Sequence, residues 1–167
     1  MARMQVYVRQ SLQTAAETVF AAPGVPLTIP FLRLFTILRV GLQSRQVEQS
    51  IIDTCAPLTV FPRKAWRRFA SEIEWLALPA ARATESWLTN LRGRTGGRSR
   101  CRIGRVWVEA FDLERPQRFL PGVRILAQFE EKELPDERVI TGLYGGILEG
   151  RRLIVEPDLQ QAWIEDR

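Results

Sequence analysis

Two neighbouring stretches of the chain carry the apolar, β-branched pattern that is typical of strands. They are residues 31–40, FLRLFTILRV, and residues 46–53, QVEQSIID, with the turn-forming residues 41–44 between them. Two strand patterns around a short turn predict a β-hairpin. We therefore expect a hairpin whose second strand ends at Asp53, an acidic residue inside an otherwise apolar run.

The middle of the chain predicts further strands and one helix. The sequence LTVFP is strand-like, and RKAWRRFASEI, residues 63–73, has the composition of a helix. A Gly- and Arg-rich segment, residues 92–105, is flanked by two candidate strands, so we expect it to form the tip of a long hairpin. The candidate strands in this part of the chain are residues 58–62, 85–91, 101–113 and 122–131.

The two ends of the chain predict one more helix each. Residues 10–22, QSLQTAAETVFAA, have helical propensity and are followed by a Pro-Gly pair, which predicts a short helix in an N-terminal extension, residues 1–29. Residues 136–158 predict a strand, a glycine, a short helix and a final strand. Because residues 30–167 contain no internal repeat and no linker, we expect them to form one mainly β domain.

The composition is that of a globular protein, with 46% hydrophobic and 26% charged residues. No stretch approaches the roughly 20 apolar residues of a membrane helix, and Arg3, Arg9 and Glu17 interrupt any signal-peptide core. The two cysteines, Cys55 and Cys101, are too few for a secreted disulfide framework. The sequence therefore predicts a cytoplasmic protein with two free thiols and no membrane partner.

The chain contains no histidine, which excludes several kinds of active site. Ser/His/Asp and Cys/His nucleophile pairs and HExxH zinc helices all need an imidazole. Phosphate loops of the GxxxxGK[ST] type and dinucleotide motifs of the GxGxxG type between a strand and a helix are also missing. Any chemistry must come from carboxylates, hydroxyls, thiols, lysine or arginine, and we expect neither a metal ion nor a cofactor.

The formal net charge of +5 arises from a single segment. Residues 92–105, RGRTGGRSRCRIGR, contain six arginines and no acidic residue, whereas the rest of the chain has 18 basic and 19 acidic residues. Such a segment can bind phosphates through counterion release, but it lacks the interleaved aromatic residues of a stacking surface. We therefore favour a solvated hairpin tip, and a nucleic-acid-binding module remains an alternative.

The residues around Asp53 resemble a known motif. Two apolar residues, Asp53, Thr54, a small residue, Ala56 and an apolar strand ending in proline are similar to the active-site loop of retropepsin-like aspartic peptidases, whose pattern is hydrophobic-hydrophobic-Asp-[Thr/Ser]-Gly-[Ala/Ser]. The sequence VITGLYGGILEGRRLIVEPD resembles that family's closing element, in which Gly142 follows two apolar residues. The resemblance covers residues 30–158 and implies a retropepsin-like acid protease barrel with a flap hairpin.

The resemblance implies an aspartic endopeptidase, a hydrolase in which two carboxylates share one proton. The ionised carboxylate activates a water molecule, and the protonated one polarises the scissile carbonyl. Asp53 is the only aspartate of this chain that is followed by Thr and a small residue. The resemblance therefore implies that a second copy supplies the other carboxylate, and we expect a homodimer that acts on a peptide or protein substrate.

The same resemblance gives roles to the neighbours of the catalytic Asp53. Thr54 would form a hydrogen bond across the two-fold axis, and Ala56 would leave room beside the carboxylate. Thr95, Gly96 and Gly97 would belong to a flap that closes over an extended peptide and excludes water. These expectations stand on the resemblance alone.

Cys55 departs from the family pattern, which has glycine at this position. Glycine is used where a backbone approaches a ligand closely, so the thiol narrows the space for substrate and could join its symmetry mate on oxidation. One alternative is therefore a catalytically silent dimer of the same fold that binds peptides or has a structural role. Another is that Asp53 only caps a turn, because Asp followed by Thr and Pro is common in turns.

Overall fold

The structure, a computed structural model, describes residues 3–14, 28–77, 85–89, 95–112, 115, 119–133 and 138–166. It is mainly β, as the sequence predicts, and the strands join in one 11-stranded sheet. The strands are β1 (Arg3–Thr14), β2 (Thr28–Val40), β3 (Gln46–Ile52), β4 (Thr59–Phe61), β5 (Glu74–Trp75), β6 (Glu85–Thr89), β7 (Thr95–Phe111), β8 (Phe119–Glu130), β9 (Val139–Thr141), β10 (Arg151–Glu156) and β11 (Gln161–Asp166).

The order of the strands in the sheet differs from their order in the chain. Neighbours in space follow the order β10-β11-β1-β2-β3-β9-β4-β8-β7-β5, and β6 pairs with β7 beside this path. β2 also pairs with β7. The pairs β3–β9 and β4–β8 are parallel. As a result β3 and β4, which are consecutive in the chain, are separated in the sheet by β9.

The predicted hairpin that ends at Asp53 is confirmed by β2 and β3. The two strands pair antiparallel, from Phe35 opposite Ile51 to Val40 opposite Gln46. β2 begins earlier than predicted and β3 ends one residue before Asp53. The acidic residue is thus the first residue of a loop rather than the last residue of a strand.

The Glu72 side chain stabilises the turn between β2 and β3. Gly41 has a φ of +82°, which favours glycine, and the Glu72 carboxylate accepts the N–H groups of Gln43 at 2.9 Å and Ser44 at 2.7 Å. Burial acts to raise the pKa of Glu72, but hydrogen bonds from Ser44, Gln43 and Leu42 outweigh it, so the pKa lies below the ordinary value of 4.5. These hydrogen bonds favour the charged form of the carboxyl group.

Five aromatic rings form a cluster in the core. Phe61 of β4 stacks on Phe129 of β8 with ring centroids 5.4 Å apart, and Phe69 meets Phe61 edge-on at 5.4 Å. Trp75 and Trp66 pack edge-on against Phe129 at 5.2 and 6.4 Å. Burial of an aromatic side chain of this size contributes about 1.5–3 kcal/mol. The cluster therefore anchors β4, the strand that follows the loop of Asp53.

The helix predicted at residues 63–73 is present in a short, bent form. A single α-helical turn, α1 (Arg63–Trp66), continues into a 3₁₀ helix (Arg67–Glu72). Phe69 interrupts the helix with φ −129° and ψ 25°, and its ring is fully buried. The bend thus allows two aromatic residues of this segment, Trp66 and Phe69, to reach the core.

The helix predicted at residues 10–22 is wrong for residues 10–14, which belong to β1. β1 pairs antiparallel with β2 from Tyr7 opposite Phe35 to Thr14 opposite Thr28, and with β11 over its first residues. Long-range pairing outweighs the local helical propensity of this segment. Residues 15–22 lie outside the described residues.

The short helix predicted after Gly142 is also wrong. Residues 143–150 form bends and turns, and φ is positive at Gly145 (+58°) and Gly150 (+73°). A right-handed helix cannot continue through residues of this conformation. A 3₁₀ helix does form nearer the C-terminus, at Pro157–Leu159, between β10 and the unpredicted strand β11.

The predicted long hairpin is present, but the Arg/Gly segment is not confined to its tip. β6 and β7 pair antiparallel from Glu85 opposite Arg100 to Thr89 opposite Thr95. Residues 95–105 are therefore part of strand β7. The tip itself, residues 90–94, lies outside the described residues.

Candidate active site

Asp53 is the first residue of the loop between β3 and β4, residues 53–58, which we call the Asp53 loop. β3 pairs with β9 from Ser50 opposite Val139 onwards, and on the other side of β9 the β4 residue Val60 pairs with Ile140. The Asp53 loop must therefore cross the end of β9 to connect its two neighbours. Both ends of the loop are fixed to the same short strand.

Backbone hydrogen bonds tie the Asp53 loop to the last residue of β9 and to the two residues after Gly142. Each joins an N–H group to a carbonyl oxygen, at 2.7–3.1 Å. They are Asp53 N–H to Thr141 O (3.1 Å), Leu143 N–H to Ala56 O (3.0 Å) and Tyr144 N–H to Pro57 O (2.7 Å). Within the loop, the N–H of Ala56 also donates to the carbonyl of Asp53 at 3.2 Å. The loop is thus held by main-chain atoms along most of its length.

Gly142 lies very close to the backbone of the Asp53 loop. A Cβ atom at this residue would lie 2.5 Å from the carbonyl oxygen and 2.8 Å from the Cα of Leu58. These are backbone atoms of the Asp53 loop, which cannot rotate away. The N–H of Gly142 donates to the hydroxyl of the buried Thr59 at 3.3 Å. Packing against Leu58 therefore requires glycine at residue 142, which explains why the motif contains a glycine here.

A buried pair of hydroxyl groups lies just before the loop. The hydroxyl oxygens of Ser50 and Thr141 are 2.6 Å apart, and the Ser50 hydroxyl also contacts the carbonyl of Val139 at 3.1 Å. Ser50 and Thr141 are both fully buried. Buried polar groups stabilise a structure only when they are hydrogen-bonded, and this pair satisfies that requirement while linking β3 to β9.

The carboxylate of Asp53 has one hydrogen bond among the described residues. Its Oδ1 accepts the N–H of Cys55 at 2.9 Å, which is the geometry of a turn closed by an aspartate side chain. The turn-capping role considered from the sequence is therefore present. No described ion pair or second hydrogen bond involves the carboxylate, so Oδ2 has no described hydrogen-bond partner.

The remaining residues of the predicted loop face outwards to different degrees. Thr54 and Cys55 are exposed, whereas Asp53 and Ala56 are half-buried. Cys55 does not adopt a positive φ, so its backbone conformation is one that residues with side chains adopt freely. A cysteine in place of the family's glycine therefore places no backbone strain on this loop.

The predicted flap residues lie on a different part of the sheet. Thr95, Gly96 and Gly97 are the first residues of β7, in the hairpin with β6. The structure thus brings Asp53, Thr54, Cys55, Ala56 and Gly142 together, and the assignment of Thr95, Gly96 and Gly97 to a flap over this loop stays a prediction.

Two apolar residues beside the loop were not singled out from the sequence. Leu143 is 36% exposed and Tyr144 is 69% exposed, and their N–H groups bind the Asp53 loop. Neighbouring large apolar side chains at the surface suit contact with another chain. Their position directly after Gly142 in the closing element is the sequence signal that could have identified them.

Carboxyl groups with shifted pKa values lie elsewhere in the molecule. Besides Glu72, the pKa of Glu48 is shifted: burial raises it above 4.5, and the ion pair with Arg68 offsets this only in part. Glu48 and Arg68 connect β3 to the 3₁₀ helix, so this shift belongs to the scaffold.

The described part of the chain contains no group of histidine, cysteine and acidic side chains suited to hold a metal ion. None of its helices combines the length and apolar character needed to cross a membrane. Comparisons with protein-family models, with curated proteins and with solved structures found no match to this chain.

Proposed function

We propose that this protein is a retropepsin-like aspartic endopeptidase whose active site forms when two copies meet at their Asp53 loops. Each copy contributes one Asp53. The two carboxylates share a proton, because two such groups close together cannot both ionise without a large cost. One carboxylate activates a water molecule, and the other donates a hydrogen bond to the scissile carbonyl.

The observation that carries this proposal is the contact between the Asp53 loop and Gly142. The resemblance to the peptidase family rests on two motifs that are far apart in the sequence, the Asp-Thr loop and the closing element. In the fold the two motifs lie in direct backbone contact. Such contact is what the two halves of one active-site loop system require.

The sheet topology supports the fold that the proposal requires. β2, β3, β9, β4, β8 and β7 follow one another in the sheet, and β2 in turn pairs with β7. Six strands thus follow each other in a closed circuit, as strands do in a barrel. We propose that this circuit is the retropepsin-like barrel.

The exposure of the loop suits a site completed by a second chain. Thr54 and Cys55 are exposed and the carboxylate has one described hydrogen bond. A two-fold axis beside this loop would bring each Asp53 towards its mate, and the Thr54 hydroxyl would find a partner across the axis. The exposed Leu143 and Tyr144 would then border the peptide or the second copy.

Digestion of a peptide library over a range of protein concentrations tests the proposal. We expect hydrolysis between pH 3 and 8, with activity per chain that rises as light scattering reports the change from monomer to dimer. A strict monomer at high concentration would contradict it.

The same library distinguishes the peptidase from a silent dimer. Peptides that are retained by the protein but never cut, in the presence and absence of reductant, would indicate a peptide-binding role and would refute catalysis by Asp53. Matched reactions with Asp53→Asn identify any contaminating peptidase.

A further inference from the structure

A cavity lies where β1 and β7 part from β2. At Phe35 the strand β2 has two partners, Tyr7 of β1 and Ile51 of β3, so β1 and β3 lie on opposite edges of β2. From Ile37 onwards β7 replaces β1 on its edge, beginning at Phe111. Between the two pairings the edge of the strand opens into a cavity of about 510 Å³, within the roughly 300–1,000 Å³ of small-molecule sites.

Part of the cavity lining is apolar. It includes Phe35, Ile37, Phe111 and Tyr7, and the rings of Tyr7 and Phe35 contact each other in a tilted arrangement with centroids 6.4 Å apart. Phe35 is almost fully buried, whereas Tyr7 is 57% exposed. Aromatic side chains of this kind favour contact with a planar or apolar body.

The rim of the cavity is positively charged. Arg9 of β1 and Arg138, directly before β9, both line it and both are exposed. The described residues that line the cavity include no carboxylate, and no hydrogen bond or ion pair within the described parts of the chain engages either guanidinium. Two arginines on one concave surface attract an anion, which they bind with charge-assisted hydrogen bonds.

Polar side chains complete the cavity lining. The amide side chains of Gln5 and Gln49 both belong to it. Thr36 also lines the cavity, but it lies between Phe35 and Ile37 on β2, so its side chain is on the opposite face of the strand.

We propose that this cavity binds a small organic anion, an acid group attached to a planar apolar body. The acid group lies between Arg9 and Arg138, and the apolar body packs against Phe35 and Phe111.

This site is separate from the Asp53 loop. Gln49 of β3 lies four residues before Asp53, a distance of about 13 Å at about 3.3 Å per residue of extended chain. The two sites also lie at opposite ends of β9, with Arg138 before the strand and Gly142 after it. Binding of the anion therefore does not depend on the proposed peptidase activity.

Calorimetric titration with 2-naphthoate tests the proposal, with 2-naphthamide and acetate as comparison ligands. We expect 2-naphthoate to bind at least about tenfold more tightly than either, because the amide lacks the charge and acetate lacks the apolar body. Backbone amide shifts in NMR spectra should move at residues 35–37. Absence of binding, or equal affinity for the amide, would overturn the proposal.

Three variants locate the site. Arg9→Gln and Arg138→Gln should each weaken 2-naphthoate binding about tenfold, as expected when one charged hydrogen bond is lost, while Arg152→Gln, an exposed arginine of β10 outside the cavity, should leave it unchanged. Equal affinity in all three variants would refute the assignment of the anion to this rim. Circular dichroism checks that each variant is folded.

A variant at the proposed peptidase site tests whether the anion binds in the cavity or at the Asp53 loop. Asp53→Asn should bind 2-naphthoate with the affinity of the wild type, whatever its effect on hydrolysis. Loss of binding in this variant would place the ligand at the Asp53 loop and overturn the separate site. Affinity that falls as the protein self-associates would likewise show that a second copy, rather than an anion, covers the cavity.

Discussion

The two loops at the ends of strand β3 are each organised around a carboxylate, but the two carboxylates are used differently. At one end, both oxygens of Glu72 accept backbone N–H groups of the turn, from Gln43 and Ser44. At the other end, Asp53 uses a single oxygen to accept the N–H of Cys55. The turn at Glu72 depends on a side chain, whereas the Asp53 loop is held by main-chain bonds to the residues around Gly142.

The two carboxylates differ in how many of their oxygens the local backbone uses. A carboxylate whose oxygens are both occupied stabilises its loop and keeps a low pKa, but it has no lone pair directed at a substrate. The Asp53 loop is also held by backbone hydrogen bonds around β9, and its carboxylate closes a turn with one oxygen. On this comparison Glu72 uses both carboxylate oxygens in its turn, whereas Asp53 uses one among the described residues.

We expect the largest effect on hydrolysis from Asp53→Asn, and a different effect from Glu72→Gln. Asp53→Asn should reduce peptide hydrolysis by about 10³-fold or more, since it removes the group that transfers the proton, with little change in thermal stability. Glu72→Gln should leave the rate of hydrolysis per folded chain unchanged. Peptide assays and thermal unfolding of both variants provide the measurement. Similar losses of activity in the two variants would contradict different roles for Asp53 and Glu72.

Gly142→Ala tests the backbone support of the Asp53 loop. The added Cβ would press on the backbone of Leu58, so we expect a loss of about 3 kcal/mol in the free energy of unfolding, at the upper end of the usual cost of overpacking. Gly146→Ala is the matched control, because its Cβ would lie 3.3 Å from the nearest atom, and should cost less than about 1 kcal/mol. Urea unfolding measures both, and an equal cost would contradict the close contact.

The pH dependence of stability should reveal the charged hydrogen bonds of Glu72. Because the pKa of Glu72 is lower in the folded state, its contribution is complete above the unfolded value of about 4.5 and is lost as the pH falls through the folded value. We expect Glu72→Gln to cost about 1 kcal/mol at pH 7, allowing for the exposure of this turn, and less as the pH falls below 4.5. Urea unfolding from pH 3 to 7 tests this, and a constant difference would contradict it.

Cys55→Gly should have the smallest effect. Removing the side chain gives the substrate more room beside the carboxylates, and we expect hydrolysis to rise by less than about tenfold, or about 1.4 kcal/mol, because the thiol already faces solvent. Reductant should affect the wild type and not the variant. Turnover of both proteins, reduced and oxidised, on one peptide pool is the measurement, and an unchanged rate in every condition would make Cys55 a neutral residue.

Local patterns in the sequence were sufficient for the elements whose partners lie nearby. The hairpin of β2 and β3, the helical turn at Arg63 and strand β8 were all predicted, because their apolar residues and turn residues lie within one short window. The N-terminal strand was missed since its partners β2 and β11 are distant in sequence. Helical propensity at residues 10–14 carries no information about those partners.

The candidate site was predictable in part for the same reason. Asp53 and Gly142 lie in short motifs that can be read directly from the sequence. The role of Glu72 could not be predicted, because the N–H groups that it accepts come from residues 28 and 29 positions away. The cavity at Thr36 is assembled from several strands, and no single stretch of the sequence reveals it.

β9 lies between β3 and β4 in the sheet, but it is synthesised long after both of them. Domains are synthesised from the N-terminus, and the N–H that Thr59 accepts comes from Gly142, a residue 83 positions later in the chain. A nascent chain that has reached the end of β8 already contains Asp53 but not Thr141, Leu143 and Tyr144, whose main-chain groups bind its loop. Ribosome-bound chains therefore acquire the acid early and these hydrogen bonds late, so that on the proposed mechanism hydrolysis begins only after residues 139–144 have been synthesised.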